Sequence, residues 1–226
     1  EQVDGEKDSW EVMVIDEQGQ DEEAPLESAS YSPAAGFELR KDGKLPEPSE
    51  DEVLVRVEAT TLSTRDCLER LRRDINEKLQ NDIWVPGHEI VGKVIEIGSQ
   101  VSKFKVGELI GVGVFIDSCK NCASCGAGLE QYCVEGMTGT YNGYERNTQE
   151  IAFGGYSNNF VIDENYAVTI PANLTMSGVA PLLCAGITLY SPIRHWRVGP
   201  HSKVAVMGLG GLGHMGVKFA AALGAE

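Results

Sequence analysis

The chain has 226 residues, 42% hydrophobic and 23% charged, with 26 glycines, 9 prolines and a formal net charge of −15. That composition excludes fibrous, collagen-like and wholly disordered classes, and the acidic balance argues against nucleic acid or an anionic membrane as main partner, since both select for Lys and Arg. No apolar run reaches the roughly 18 to 20 residues needed to span a bilayer, and the acidic start is unlike a secretory or transit signal.

Residues 1–27 hold eleven acids against Lys7 alone, so the rest of the chain is nearly balanced in charge. Within this segment Val12-Met13-Val14-Ile15 predicts a first strand, while the Gly, Pro and Ser content of 21–48 predicts an irregular arm. From Asp51 the pattern sharpens: 52–57 alternates as a half-buried strand and 90–98 reads as another, closed by Gly98. Between them Arg65 to Leu79, with Leu68, Leu71, Ile75 and Leu79, predicts a short amphipathic helix. Strands follow at 106–114, 156–161 and 166–170. After Pro171 the texture turns to Ala, Leu and Gly, predicting a helix over 177–190, a strand over Lys203-Val204-Ala205-Val206-Met207 and a helix over 212–223. A β-rich body followed by the opening strand and helix of a parallel sheet implies an acidic segment (1–50), a β domain (51–172) and the start of an α/β domain (173–226).

Three groups of residues carry chemistry. Four of the six cysteines crowd into fifteen residues as Cys119-x2-Cys122-x2-Cys125-x7-Cys133. Cysteines this close cannot form several unstrained bridges, whereas thiolates from one loop converge readily on a tetrahedral ion. A closed set of four leaves no position for water, so a structural zinc and a reducing, cytoplasmic compartment are expected. Gly208-Leu209-Gly210-Gly211-Leu212-Gly213 stands between an apolar strand and an apolar helix, the context in which such a turn binds a dinucleotide pyrophosphate. The acidic residue that reads the ribose is expected roughly 20 residues beyond such a motif, and the sequence given stops before it. The third group is His88 and Glu89 with Cys184, ligand types for a second, open zinc site, although a buried His or Cys is more often a satisfied core residue. His195, His201 and His214 have no ligand spacing.

With these residues in view, the chain resembles the zinc-containing medium-chain alcohol dehydrogenases, most of all the cinnamyl-alcohol-dehydrogenase-like branch. The likeness runs from about Glu52 to Glu226. It rests on Val85-Pro86-Gly87-His88-Glu89-Ile90-Val91-Gly92, the cysteine lobe ending Glu130-Gln131-Tyr132-Cys133, Gly154-Gly155-Tyr156-Ser157, Ala180 to Tyr190, and Gly208 to Lys218. The resemblance implies a β-rich GroES-like domain followed by the start of an α/β Rossmann domain, with NADP or NAD as cofactor and reversible alcohol-to-aldehyde chemistry at a catalytic zinc. It implies His88 and Cys184 as ligands, Glu89 beside the metal or exchanging onto it, Thr188 near the nicotinamide, and Gly208, Gly210, Gly211, Leu212 and Gly213 around the pyrophosphate. The partner implied is a small alcohol or aldehyde, with a homodimer or a subunit of a larger assembly as the quaternary form.

The sequence departs from the family in the run that should supply the first catalytic ligand, a Cys-His-Ser/Thr-Asp pattern. Here it reads Ser63-Thr64-Arg65-Asp66, with Ser63 in the thiolate position and Arg65 in that of the proton-relay hydroxyl. A serine hydroxyl keeps its proton near neutral pH and is a poor zinc ligand; Cys67 is a substitute only if it moves a helical turn. The run Ala59 to Arg70 is also similar to the zinc-less quinone oxidoreductases, and Asp82-Ile83 replaces the usual Tyr-Pro. Two alternatives to an alcohol dehydrogenase therefore stand: a metal-independent double-bond reductase with structural zinc only, and a structural or interaction subunit that has lost catalysis. The length, with one strand and helix of the cofactor sheet, fits a fragment or a truncated relative.

Overall fold

A computed structural model describes residues 12–14, 26–32, 36–43, 47–74 and 84–226. Most of the acidic segment, Ile75 and Leu79 of the anticipated helix, and Asp82 and Ile83 lie outside these residues.

Three strands lead in: β1 (Val12–Val14), β2 (Leu26–Ser32) and β3 (Gly36–Gly43). The irregular arm expected over 21–48 is corrected here, because β2 and β3 form an antiparallel hairpin. Its register explains why: Ala29 pairs Leu39 and Tyr31 pairs Phe37, while Ser28 pairs Arg40 and Ser30 pairs Glu38. The two strands share a period of two that the high Gly, Pro and Ser content conceals.

The body is built on β4 (Glu52–Thr61), which is followed by α1 (Thr64–Asp74) and β5 (Ile90–Ile97). Next come β6 (Leu109–Val112), β7 (Phe115–Asp117), α2 (Ala123–Gly126), β8 (Thr138–Gly139), β9 (Asn159–Asp163) and β10 (Ala167–Thr169). An antiparallel sheet runs β1-β4-β5-β6-β10, and β9 pairs β4 as well. One edge of β4 is thus divided: Glu52 to Arg56 pair with β9, and Ala59 to Thr61 with β1.

Val53, Val55 and Val57 of β4 lie on one face with Ile90, Val94, Phe104, Ile110, Val112, Phe160 and Ile162, forming the main core. Each such side chain withdrawn from water contributes about 1.5–3 kcal/mol. Expected to be half-buried, β4 is buried on both faces, for Leu54 is 1% exposed and Ala59 is fully buried. The opposite face of β5 presents Val91 to a second cluster with Ile170, Val179 and Ala180. That cluster lies under the segment expected to be one helix over 177–190. It is instead α3 (Met176–Val179), a 3-10 turn (Ala180–Leu183) and α4 (Ala185–His195), broken at Cys184. Thr175 caps α3 by accepting the Gly178 N–H at 3.2 Å, Pro181 sits in the first turn of the 3-10 stretch, and Cys184 leaves helical geometry at φ −126°, ψ −74°.

α1 also differs from its expected character. Leu68 and Leu71 are 61% and 56% exposed, whereas Asp66 and Arg73 are buried. The helix is held by polar contacts: Arg73 donates to Asn142 Oδ1 at 2.8 Å, lies 3.5 Å from Glu69, and stacks on Trp84 at 5.3 Å.

The strand expected over 203–207 carries no ladder of its own, because a parallel strand is defined only by a neighbour. A neighbour begins at the last residue: Val204 N–H donates to Glu226 O at 2.7 Å, and Glu226 N–H to Ser202 O at 2.9 Å. This alternating pair is the hydrogen-bond pattern of one parallel bridge, with α5 (Gly211–Ala222) as the connection between its halves. No single helix among the described residues is long and apolar enough to cross a membrane.

Candidate functional site

The cysteine lobe grows from β7 and β8. Lys120 adopts φ 59°, which turns the chain so that Cys119 and Cys122 face one another, and Cys122 caps α2 by accepting the Cys125 N–H at 3.5 Å. The Cys122 N–H donates to Cys119 Sγ at 3.4 Å, and the Cys119 N–H to Cys133 Sγ at 3.4 Å. Hydrogen bonds from the backbone N–H groups of Cys125 and Val134 hold the Cys122 thiol down at about 6, and the N–H of Cys119 lowers Cys133. N–H groups aimed at sulfur favour the thiolate, the form that binds metal, at Cys122 and Cys133, whereas at Cys119 the Asn121 N–H is outweighed by burial and the neighbouring Cys133 and Cys122, which push it up to about 11.

All four sulfurs lie within 4.8 Å of one another, with Cys122–Cys125 at 3.5 Å and Cys119–Cys125 at 3.9 Å. Sulfurs at the corners of a tetrahedron with metal bonds of about 2.3 Å stand about 3.8 Å apart, so the set fits zinc. Lys120 straps the lobe to the body through Asp163 at 2.6 Å and Asp117 at 3.5 Å. None of the six cysteines is in a disulfide.

A second group forms where β4 ends and β5 begins. Antiparallel pairing of Thr60 with Ile90 brings residues 61–66 and 88–89 to the same end of the sheet. Gly87 permits the turn into β5 at φ +100°, and a Cβ there would lie 2.8 Å from the Tyr156 ring. The packed 3-10 turn delivers Cys184 to the same place, so that donor atoms of His88, Glu89 and Cys184 lie within 4.8 Å of one another. His88 is 2% exposed, and neither ring nitrogen makes a hydrogen bond of good geometry, the Asp66 carboxylate standing 3.5 Å from Nδ1. A buried unsatisfied imidazole is costly unless something else occupies it. An imidazole, a carboxylate and a thiol with an open side match the ligand types of a catalytic zinc.

The electrostatics are set by Asp66, 1% exposed, whose Oδ1 is 3.5 Å from His88 Nδ1. Burial pushes the imidazole down, but Asp66 and Cys184 outweigh it and hold it up at about 9. Burial raises the Asp66 carboxyl, and His88, the Tyr141 hydroxyl and the Ser63 N–H overcome this to lower it. Burial dominates at Glu89, which is raised. Tyr141 closes one wall, its ring 5.8 Å from that of His88 and 6.0 Å from Trp84.

Ser63 has another occupation. Its Oγ accepts the Arg65 N–H at 3.2 Å while Asp66 Oδ2 accepts the Ser63 N–H at 2.8 Å, a reciprocal cap on α1. Cys67 is exposed and outside the donor group, so it does not stand in for the missing thiolate. Sequence reasoning named Asp66 only as the end of a motif; its Ser-x-x-Asp spacing is the signal that ties it to Ser63. Tyr141 gave no signal.

The glycine turn behaves as its spacing implies. Gly208 takes φ +84°, and a Cβ on Gly213 would fall 1.8 Å from Gly208 O, so the helix can approach the turn only without a side chain there. A Cβ on Gly210 would meet open space. Gly211 and Leu212 form the first turn of α5, and Thr188 is exposed one turn beyond Cys184, donating its N–H to Cys184 O at 2.9 Å.

A β body with a four-thiolate lobe and a separate donor triad defines a class. The model of the alcohol dehydrogenase GroES-like domain matches residues 49–172. The chain belongs to this family. It is 59% identical over 143 residues to NADP-dependent alcohol dehydrogenase C 1 of Mycolicibacterium smegmatis, covering 63% of this chain and 41% of that one. To aldehyde reductase YahK of Escherichia coli it is 54% identical over 143 residues, with the same shares. Among solved structures, a cinnamyl alcohol dehydrogenase of Sorghum bicolor superposes with TM-score 0.79 at 34% identity, covering 88% of this chain and 56% of that one. The CAD of Helicobacter pylori complexed with NADP(H) gives 0.79 at 36%, covering 89% and 57%. The chain spans about two fifths of the length of the curated relatives it matches.

Proposed function

We propose that the protein transfers hydride between NADP(H) and an alcohol/aldehyde pair. The carrying observation is the convergence of His88, Glu89 and Cys184, with the imidazole buried and Asp66 behind it. Similarity to relatives described as NADP-dependent alcohol dehydrogenases and as an aldehyde reductase supports the cofactor and the substrate class. Residues 51–172 form the GroES-like domain and 173–226 the beginning of the Rossmann domain, with 1–50 as a leading segment. The free thiols suit a reducing compartment, the cytoplasm.

In this reading Cys119, Cys122, Cys125 and Cys133 hold a structural zinc that fixes the lobe. His88, Cys184 and Glu89 would hold a second zinc, which would supply Lewis-acid polarisation of the carbonyl oxygen. Asp66 orients the His88 ring from behind, as carboxylates do for metal-ligating histidines. Glu89, raised by burial, is able to exchange a proton or a ligand position. Gly208, Gly210, Gly211, Leu212 and Gly213 would receive the pyrophosphate at the start of α5, and Thr188 would lie near the nicotinamide.

Zinc content together with NADPH oxidation by an aldehyde tests the reading. Two zincs per chain, falling to one in His88→Ala, with aldehyde-dependent oxidation lost in that variant, is the expected result. The engagement of the Ser63 hydroxyl in the α1 cap favours a second reading, metal-independent reduction of an activated double bond. One zinc per chain, rising to two in Ser63→Cys, would show that the catalytic metal site is lost and favour metal-independent reduction or a structural role.

A further inference from the structure

Four arginines lie along α1, and three of them have carboxylate partners within the helix. Arg70 lies 3.8 Å from Asp74, Arg72 3.2 Å from Glu69 and Arg73 3.5 Å from Glu69. Arg65 differs. Among the described residues no carboxylate stands at ion-pair distance from it, and its Cζ lies instead 5.9 Å from the centre of the Tyr141 ring. Tyr141 is 5% exposed, and its hydroxyl is shut in against Asp66 and Arg65. Since Tyr141 also packs on His88, the Arg65 guanidinium lies across one ring from the donor group. Asp66, the nearest buried anion, is matched with His88 at 3.5 Å.

We propose that Arg65, held over the Tyr141 ring beside the His88 site, receives a carboxylate, so that the substrate is a short aldehyde that also carries an acid group. The inference rests on the alcohol/aldehyde reading above and deepens it. A guanidinium stays charged at every working pH and presents a planar fork of donors that matches a carboxylate. The Tyr141 ring beneath it holds the guanidinium in place through a cation–π contact. Where the resemblance implies a neutral relay hydroxyl, this chain places a full positive charge. Arg65 is thereby a specificity residue that touches the far end of the substrate and leaves the reacting carbon to the donor group.

The test is calorimetric titration of the full protein with 4-oxobutanoate, butanal and inorganic phosphate, repeated on Arg65→Ser, Arg65→Lys and Arg72→Met. Wild-type protein is expected to bind 4-oxobutanoate roughly ten- to a hundredfold more tightly than butanal, the range of one charged hydrogen-bonded contact. Arg65→Ser removes that advantage with butanal affinity unchanged, Arg65→Lys keeps part of it, and Arg72→Met keeps all of it. Equal binding of the two aldehydes by wild type, or an advantage that survives in Arg65→Ser, overturns the proposal. So does a loss confined to phosphate in Arg65→Ser, which would assign the guanidinium to a cofactor phosphate. NADPH oxidation with butanal reads the underlying activity separately. Its absence beside an intact carboxylate preference removes the reductase alone, and its presence without the preference removes the Arg65 site alone.

Discussion

Ser63 is where two demands on one residue compete. As a helix cap its oxygen is well suited; as a metal ligand it is poor, and cysteine reverses both properties. Replacing Ser63 by Ala is expected to lower stability by about 1 kcal/mol in urea unfolding. Ser63→Cys should lose a similar amount without metal and regain it when zinc is added, a crossing that neither a pure cap nor a pure ligand position produces. The glycine turn offers a parallel separation. Gly213→Ala drives a Cβ into Gly208 O and should lower both the melting temperature and NADP affinity. Gly210→Ala meets no atom of the chain, so it should leave melting unchanged while weakening NADP about tenfold or more, if pyrophosphate approaches that backbone. Thermal melting and nucleotide titration on the two variants check this directly.

At the level of elements, the cysteine lobe is a small unit tied to the sheet by β7, β8 and the Lys120–Asp163 pair. Removing metal with a chelator should expose amides over 118–136 to hydrogen exchange while β4, β5 and β6 keep their protection; loss of protection across the sheet would mean the lobe is part of the core. How far these elements were legible follows from the range of the forces that make them. The thiolate spacing and the glycine turn are local, complete within a few residues, and the sequence displayed both. Strands β4 and β5 were visible because runs of Val and Ile commit to a sheet wherever it forms. The β2–β3 hairpin stayed hidden because its pairing of like with like appears only once the register is known. α1 misled for the opposite reason: its leucines have helical spacing, but a cap, a buried ion pair and a ring on Arg73 decide which face turns inward. Tyr141 reaches the site from a distant loop, and no local pattern records such a meeting.

The whole molecule depends on one strand. Ile110 and Val55 sit at the centre of the main cluster, both fully buried, so Ile110→Ala should cost about 2–5 kcal/mol, with a lower urea midpoint and an unchanged slope. The same cluster gathers side chains from β4, β5, β6 and β9, which is why the donor triad at its rim is held by the tertiary structure and not by any one loop. β4 has a further property that becomes apparent when the chain is thought of in time. Synthesis delivers residues in order, at about 5–20 per second, and β5 can pair with β4 soon after it emerges. The other edge of β4 is completed over Glu52 to Arg56 only by Asn159 to Asp163, a hundred residues later. Until then the nascent protein carries an apolar hairpin with an open row of N–H and C=O groups, the arrangement that recruits strands from neighbouring chains. The arrival of β9 is therefore the moment at which synthesis closes the exposed edge of β4.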